Sequence, residues 1–287
     1  KSDNYPIGVI DKKAYDYLLE PEKILEANPD LVLVTPFIER ENPAFVKTLR
    51  RTGINVVSIY PVEFKDFSDY IKKLGRLTGK INTAEILIQS FYEEIEEIEE
   101  ITKNLNNKVN VFVETSEIGY KTVIDDSFAA NAIRIAGGQS IAKDVVGTYE
   151  KTFMGEFGFE KIIKNANEID VYLSQRGGVS SGGNIHSIEI RPGFDKIKAL
   201  KNNRVYVLSE RLLSQPTLRY IKGIKELCRI LHPEVFANIN DYASDELITR
   251  ELMAEIGVKY TGKGIYMPSS SYYRKEHEGH TYGFFED

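Results

Sequence analysis

Cysteine is almost absent from these 287 residues. Cys228 stands alone, so no internal disulfide forms and the redox compartment is left open. It falls in the helical pattern Lys225 to Leu231, which reads as packed core rather than a reactive thiol. Positive charge is short too: 37 Lys and Arg against 43 Asp and Glu leave a net charge of −6, and the lack of a basic stripe argues against a nucleic-acid partner. Histidine occurs only at His186, His232, His277 and His280. The last three lie outside the expected cleft, which disfavours a carrier of bare zinc or manganese. No apolar run reaches transmembrane length and no export signal opens the chain, so it reads as soluble, with a processed or trimmed form fitting equally. Common enzyme signatures are missing as well: no G-x-S-x-G, no phosphate-loop lysine motif, no G-x-G-x-x-G after a first strand and no Cys-His pairing.

What is present is an ordinary soluble composition, 42% apolar and 28% charged, in a chain long enough for two cores. Its longest regular pattern runs from Asn82 to Asn107. Ala84, Leu87, Ile88, Phe91, Ile95, Ile98 and Leu105 recur at helical spacing, and Glu93, Glu94, Glu96, Glu97, Glu99 and Glu100 fill the opposite face. A helix of that length would reach about 39 Å, enough to brace two lobes; the repeat is too short for a coiled coil.

Strands and helices alternate on both sides of this brace. Before it, Pro21 to Ala27 reads as a helix, Leu31 to Val34 as a strand buried on both faces, Asn42 to Thr52 as a helix, Ile54 to Tyr60 as a strand and Phe64 to Thr78 as a helix. Ile7 to Ile10 and Ala14 to Leu19 give a short strand and a helical turn. After it come strands at Val109 to Glu114, Ile169 to Leu173 and Arg204 to Leu208, with helices at Ser127 to Ala136, Glu160 to Asn165 and Pro216 to Leu231. A further helix is expected at Ser244 to Ile256, ahead of a Tyr- and Ser-rich tail. The fold class is α/β: two Rossmann-like lobes with parallel sheets, joined by one long backbone helix. The boundaries fall at 1–80 for the first lobe, 81–107 for the connecting helix, 108–235 for the second lobe and 236–287 for a C-terminal extension.

Two segments echo each other across the brace. Glu22-Lys23-Ile24-Leu25 leads into the strand Leu31 to Val34, and Glu160-Lys161-Ile162-Ile163 leads into Ile169 to Leu173, which suggests a pseudo-symmetric pair with Glu22 equivalent to Glu160. On physics alone each glutamate is a carboxylate complementing a helix N-terminus or a functional charge, with equal weight.

Ligands of open α/β sheets collect beyond the carboxyl ends of the strands. That rule selects Thr35 to Arg40, Tyr60, Thr115 to Thr122, Arg176 and Ser209 to Arg211. Arg40, Lys121, Arg176 and Arg211 are solvated charges singly, or anion ligands if they converge. Tyr60, Tyr120 and Tyr149 supply either loop packing or an aromatic wall. The glycine-rich stretch Gly177 to Gly183 is a plain loop, a backbone anion nest or a mobile flap. Together Arg40, Arg176 and Arg211 predict a positive cleft in an acidic molecule, which would favour an anionic cargo.

The segments Glu22 to Leu33, Leu74 to Gly79, Ile135 to Gly138 and Lys201 to Val207, in this order around one long helix, resemble the class III substrate-binding proteins of ABC importers. The resemblance covers Pro21 to Phe236. It implies an extracytoplasmic protein, periplasmic or membrane-anchored at the cell surface, that acts as a monomer and holds a small-molecule metal complex between its lobes, with no resident cofactor and no enzymatic activity. A ferric siderophore or related iron chelate is the expected cargo, with haem, cobalamin or an oxyanion as alternatives. The resemblance also implies a permease dimer as partner, docked through Glu22 and Glu160. Ligand contacts are expected from Arg40, Tyr60, Tyr120, Arg176 and Arg211. Members of this group carry an opening strand and helix ahead of the point where this chain begins, so the first lobe is expected to be incomplete, and the tail beyond Phe236 exceeds their usual ending. A different class of function, an enzyme whose two lobes clamp a metal-containing cofactor or substrate, stands as the alternative.

Overall fold

The computed structural model describes residues 21–150 and 152–236, together with the backbone of three short strands beyond them. The expected elements at Ile7 to Ile10 and Ala14 to Leu19 lie outside the described residues.

In the first lobe, helix α1 (Pro21–Ala27) ends at Asn28, whose φ of 45° is the left-handed conformation asparagine tolerates at a helix end. Strand β1 (Leu31–Val34) pairs in parallel with β2 (Asn55–Ser58), Leu31 facing Asn55 and Val34 facing Ser58. Between them lie α2 (Pro36–Glu41) and α3 (Pro43–Arg51). The stretch Thr35 to Arg40 is therefore a helix, not a loop: Thr35 Oγ1 accepts from the Ile38 N–H at 3.3 Å and Pro36 occupies the first turn. Val34, Phe45, Val46 and Leu49 make a small core. Leu33 is 45% exposed, so β1 is not buried on both faces as its apolar run suggests.

Helix α4 (Phe67–Thr78) stops at Gly79, φ 67°, and crosses the long helix α5 (Ile81–Thr102) at close range, since a Cβ on Gly75 would come within 2.6 Å of the Ala84 Cβ. The brace has 22 residues, about 33 Å, and is shorter than its sequence pattern. Its end is set at Thr102, whose buried hydroxyl donates to the Ile135 carbonyl at 2.7 Å. Leu105 still packs near Gly137, but from the turn beyond the helix. Ala84, Phe91, Ile95 and Ile98 are buried as the pattern requires, whereas Leu87 is exposed.

The second lobe continues with β3 (Val109–Glu114), β4 (Lys121–Val123), α6 (Phe128–Ile135), β5 (Gly138–Ser140), β6 (Met154–Glu156), α7 (Phe159–Lys164), β7 (Val171–Arg176), α8 (Ile185–Glu189), α9 (Lys198–Lys201), β8 (Val205–Ser209), α10 (Glu210–Leu213), α11 (Arg219–Leu231) and α12 (Pro233–Phe236). Its sheet has the order β5-β3-β7-β8-β9, all parallel except the edge strand β9 (Leu247–Ile248). Leu247 and Ile248 thus form a strand where a helix is expected; the rest of Ser244 to Ile256 lies outside the described residues. Strands β4 and β6 pair antiparallel, as do β10 (Lys259–Tyr260) and β11 (Ile265–Tyr266). Alternate residues serve two cores: Val111, Val113, Val171 and Leu173 face the layer with α5, α6 and α11, while Phe112 and Tyr172 face the opposite one.

Cys228 is fully buried in α11 and its thiol is pushed up to about 12 by burial, which suits packing rather than reactivity. On the same helix Glu226 is 1% exposed, one carboxylate oxygen has no hydrogen bond, and Arg229 is 3.8 Å away. Burial raises its carboxyl from 4.5 to about 7, only partly countered by Arg229. The folded state then keeps a proton that the unfolded chain releases, so stability is full below the unfolded value and is lost as pH rises toward 7. Glu226→Gln is expected to leave unfolding unchanged near pH 4.5 and to stabilise the protein by up to about 3 kcal/mol above pH 7. Denaturant titrations at several pH values check this; a pH-independent difference would contradict it.

Candidate functional site

The lobes meet at a junction built from short-range contacts. After β2 the chain turns at Tyr60, whose hydroxyl donates to the Ser214 carbonyl of the second lobe at 3.1 Å. Burial, with the Glu210 charge beside it, holds this phenol well above its ordinary value. The Phe64 N–H donates to the Asp126 carbonyl at 3.1 Å, and Glu63 bridges Ser127 in antiparallel fashion. Phe64 and Phe67 then enter an aromatic cluster with Phe91 and Tyr92 of α5, Phe128 of α6 and Tyr220 of α11.

Beside this junction an open cleft of about 710 Å³ separates the lobes. The first lobe contributes Pro36, Ser58, Ile59, Tyr60, Val62, Glu63, Asp66 and Lys73; the second contributes Ile124, Val146, Gly147, Tyr149, Glu150 and Thr152. Most of the second wall is the loop between β5 and β6. Its fold is tight: the Thr148 N–H and hydroxyl both donate to the Met154 carbonyl at 3.1 and 3.2 Å, and a Cβ on Gly155 would sit 2.1 Å from the Val146 carbonyl oxygen. A shallower groove of about 450 Å³ along the outer face of α3 lies away from the lobe boundary.

Of the residues expected at the ligand, Tyr60 and Tyr149 border the cleft, while Arg40, Tyr120, Arg176 and Arg211 are not among its described lining residues. Arg40 lies against a lining residue, the guanidinium 3.7 Å from the centroid of the Tyr149 ring and its Nε donating to Glu41 at 2.8 Å. Tyr120, at φ 49°, packs inside the second lobe against Phe159 and Phe194 at 5.8 and 5.9 Å. Arg176 ends β7 and Arg211 lies in α10, both half-buried and both outside the cleft lining, as is Lys121. Among the described residues the expected positive lining is not seen: the charged side chains there are Glu63, Asp66 and Glu150 against Lys73. Sequence reasoning missed Glu63 and Glu150 because a turn and a loop carry no periodic signal, and Asp66 and Lys73 because they lie in the stretch Phe64 to Thr78, which reads as a helix and not as a segment beyond a strand end.

The glycine-rich loop does form a nest of N–H groups, and the anion in it is the protein's own. Buried Glu210 accepts from the Ser180 N–H at 2.6 Å and the Val179 N–H at 3.1 Å. A Cβ on Gly177 would come within 2.2 Å of the Glu210 side chain, which explains a glycine there. The loop's other end is fixed by Glu114, which accepts from the Gly183 N–H at 2.6 Å. The loop is thus bonded at its middle and at its last residue to buried carboxylates.

Glu22 and Glu160 are both exposed, each in the first turn of its helix, α1 and α7, just ahead of β1 and β7. That placement matches the echo between the lobes. Among the described residues no three His, Cys, Asp or Glu side chains converge as ligands for a metal ion, and no helix is long and apolar enough to cross a membrane.

Comparison with known proteins agrees with this architecture. The chain is 25% identical over 241 residues to an uncharacterized ABC transporter substrate-binding lipoprotein of Bacillus subtilis, covering 82% of this chain and 72% of that one. It is 23% identical over 228 residues to a vitamin B12-binding protein of Vibrio parahaemolyticus, covering 78% and 77%. Its fold resembles that of a possible iron-binding, periplasmic solute-binding protein of Staphylococcus epidermidis with a TM-score of 0.61 at 25% identity, over 74% of this chain and 79% of that one. The sequence signature of the periplasmic binding proteins matches residues 3–212, and the chain belongs to that family, as a class III substrate-binding protein of ABC importers.

Proposed function

We propose that this chain is the extracytoplasmic, monomeric solute-binding component of an ABC importer, that it captures an iron chelate between its lobes, and that Glu22 and Glu160 dock it onto the permease dimer. The observation that carries this reading is the cleft of about 710 Å³ between two lobes, in the size range of small-molecule sites. Recognition falls on the organic shell of the complex, since the lining offers backbone, tyrosines and scattered charges rather than a converging ligand set. A corrin or porphyrin is the second occupant, favoured by the B12-binding relative. Turnover finds little support: Glu114 and Glu210 are both committed to backbone N–H groups, and the Tyr60 hydroxyl to Ser214.

The test joins binding to delivery. Ferric tris-hydroxamate, cobalamin and haem are offered to the wild type and to the double variant Glu22→Lys/Glu160→Lys, with binding read by native mass spectrometry and absorbance, and uptake through the cognate importer. One complex is expected to bind intact with a Kd in the micromolar range or tighter, on the order of −8 kcal/mol. The double reversal should leave that affinity within about twofold, because exposed carboxylates contribute little to the fold, while slowing uptake by roughly tenfold or more through like-charge repulsion at both docking points. Absence of binding to any complex would sink the carrier reading. Undiminished uptake by the variant would sink the docking assignment and leave the two glutamates as helix-terminus charges.

A further inference from the structure

Granted the carrier reading, we infer that the cleft selects a metal complex of zero or positive net charge over an anionic complex of the same shape. The charges on its wall decide this. Glu63 and Asp66 come from the turn after β2 and Glu150 from the facing loop, while Lys73 is the single cation among the described lining residues. Glu63 is paired with Lys65, so its charge is largely answered, and the sign of the described wall rests on Asp66 and Glu150 against Lys73, with Asp126 near Lys65 as a further negative charge.

The nearest arginine does not reverse the balance. Arg40 is paired with Glu41, which answers its charge, and it lies over the Tyr149 ring, outside the described lining. Arg176 and Arg211 lie outside the lining. Pro36, Ile59, Val62, Ile124 and Val146 supply apolar wall between the carboxylates, and low-dielectric walls focus a field of one sign into the space they enclose.

The preference translates into coordination chemistry. Three hydroxamates cancel the charge of a ferric ion, leaving a neutral core that becomes cationic with one pendant amine. Three catecholates leave an iron core strongly negative, and haem carries two propionates. The wall therefore suits a hydroxamate-type complex, or another complex without net negative charge.

The experiment uses one linear ferric tris-hydroxamate with three end groups: a free amine, an acetamide and a succinamide, which differ in charge and share the same iron coordination. Affinities are measured by fluorescence quenching on the full chain at low and high salt, with haem and cyanocobalamin alongside. The amine form is expected to bind most tightly and the succinamide form least, each unit of charge changing Kd by roughly five- to tenfold at low salt and less at high salt. The double variant Asp66→Asn/Glu150→Gln should narrow the spread between the amine and succinamide forms. Equal or tighter binding of the succinamide form overturns the inference while the carrier reading stands, and so does haem as the sole ligand. Cyanocobalamin as the sole ligand, uncharged overall, upholds it. Failure of every complex to bind sinks the carrier reading and this inference with it.

Discussion

Arg191→Ala is expected to destabilise the protein by about 3–5 kcal/mol, the loss seen when one partner of a buried ion pair is removed. Glu114 is fully buried at the end of β3 and takes two hydrogen bonds from the Arg191 guanidinium, one of them 3.1 Å long. Tyr172 and the Gly183 N–H also donate to it, and burial together with the Glu114 charge keeps the Tyr172 phenol well above its ordinary value and therefore a donor. Arg191 itself is held between the rings of Tyr120 and Phe194, at 5.5 and 5.3 Å, and reaches Glu117 at 3.0 Å. Without the guanidinium, a carboxylate would remain in the core with only Tyr172 and one backbone N–H to answer it. Urea unfolding gives the size of the effect, and hydrogen exchange its place: protection at Gly183 and Ser181 should fall first. A loss below about 1 kcal/mol would mean that the pair is solvated in solution. The double variant Arg191→Met/Glu114→Gln should recover a large part of the loss, because it removes the stranded charge along with its partner.

Phe91→Ala is expected to cost a similar amount, about 3–5 kcal/mol, and to do so at the junction rather than within one lobe. The Phe91 ring stacks on Phe67 of the first lobe at 4.0 Å and lies 5.9 Å from Tyr220 of the second. Tyr220 is anchored in turn by donating to the Phe128 carbonyl at 2.7 Å. Removing the central ring leaves a cavity that neither lobe can fill alone, since its walls come from α4, α5, α6 and α11. Spin labels at Glu22 and Glu160 should report one narrow distance distribution in the wild type and a broader one in the variant. A variant that unfolds at lower denaturant yet keeps the narrow distribution would show that the cluster stabilises the fold without setting the angle between the lobes.

Much of this architecture is legible in the chain because it depends on local periodicity. The runs around Val111 and Val171 read as buried strands, and they are strands whose alternate residues feed two cores. The stripe from Phe91 to Ile98 reads as one helix face, and it is buried. The failures begin where the deciding partner is distant. The brace stops at Thr102 because of a hydrogen bond to Ile135, a residue of another helix. Leu247 and Ile248 form an edge strand because β8 offers an unpaired edge, whatever their local helical pattern. Thr35 followed by Pro36 carries the local marks of a helix start, which the rule that ligands collect beyond strand ends passes over. The cleft is the least legible part: Glu63 and Glu150 sit in irregular segments and Asp66 at the start of a helix, and only the tertiary fold brings them to one space. Glu210 carried no local sign either, since the N–H groups it accepts from lie about thirty positions earlier in the chain.

That last carboxylate changes how the molecule meets dissolved anions. Two successive backbone N–H groups aimed at one point would ordinarily be open to phosphate or sulfate from the medium. Here Glu210 is a competitor that never diffuses away, delivered by α10 at an effective concentration of at least the millimolar order that short tethers provide. Its own burial makes departure costlier still, because a displaced carboxylate would have to find new partners or water. Changing phosphate or sulfate in the surroundings should therefore leave the loop, and the end of β7 that it closes, in the same conformation.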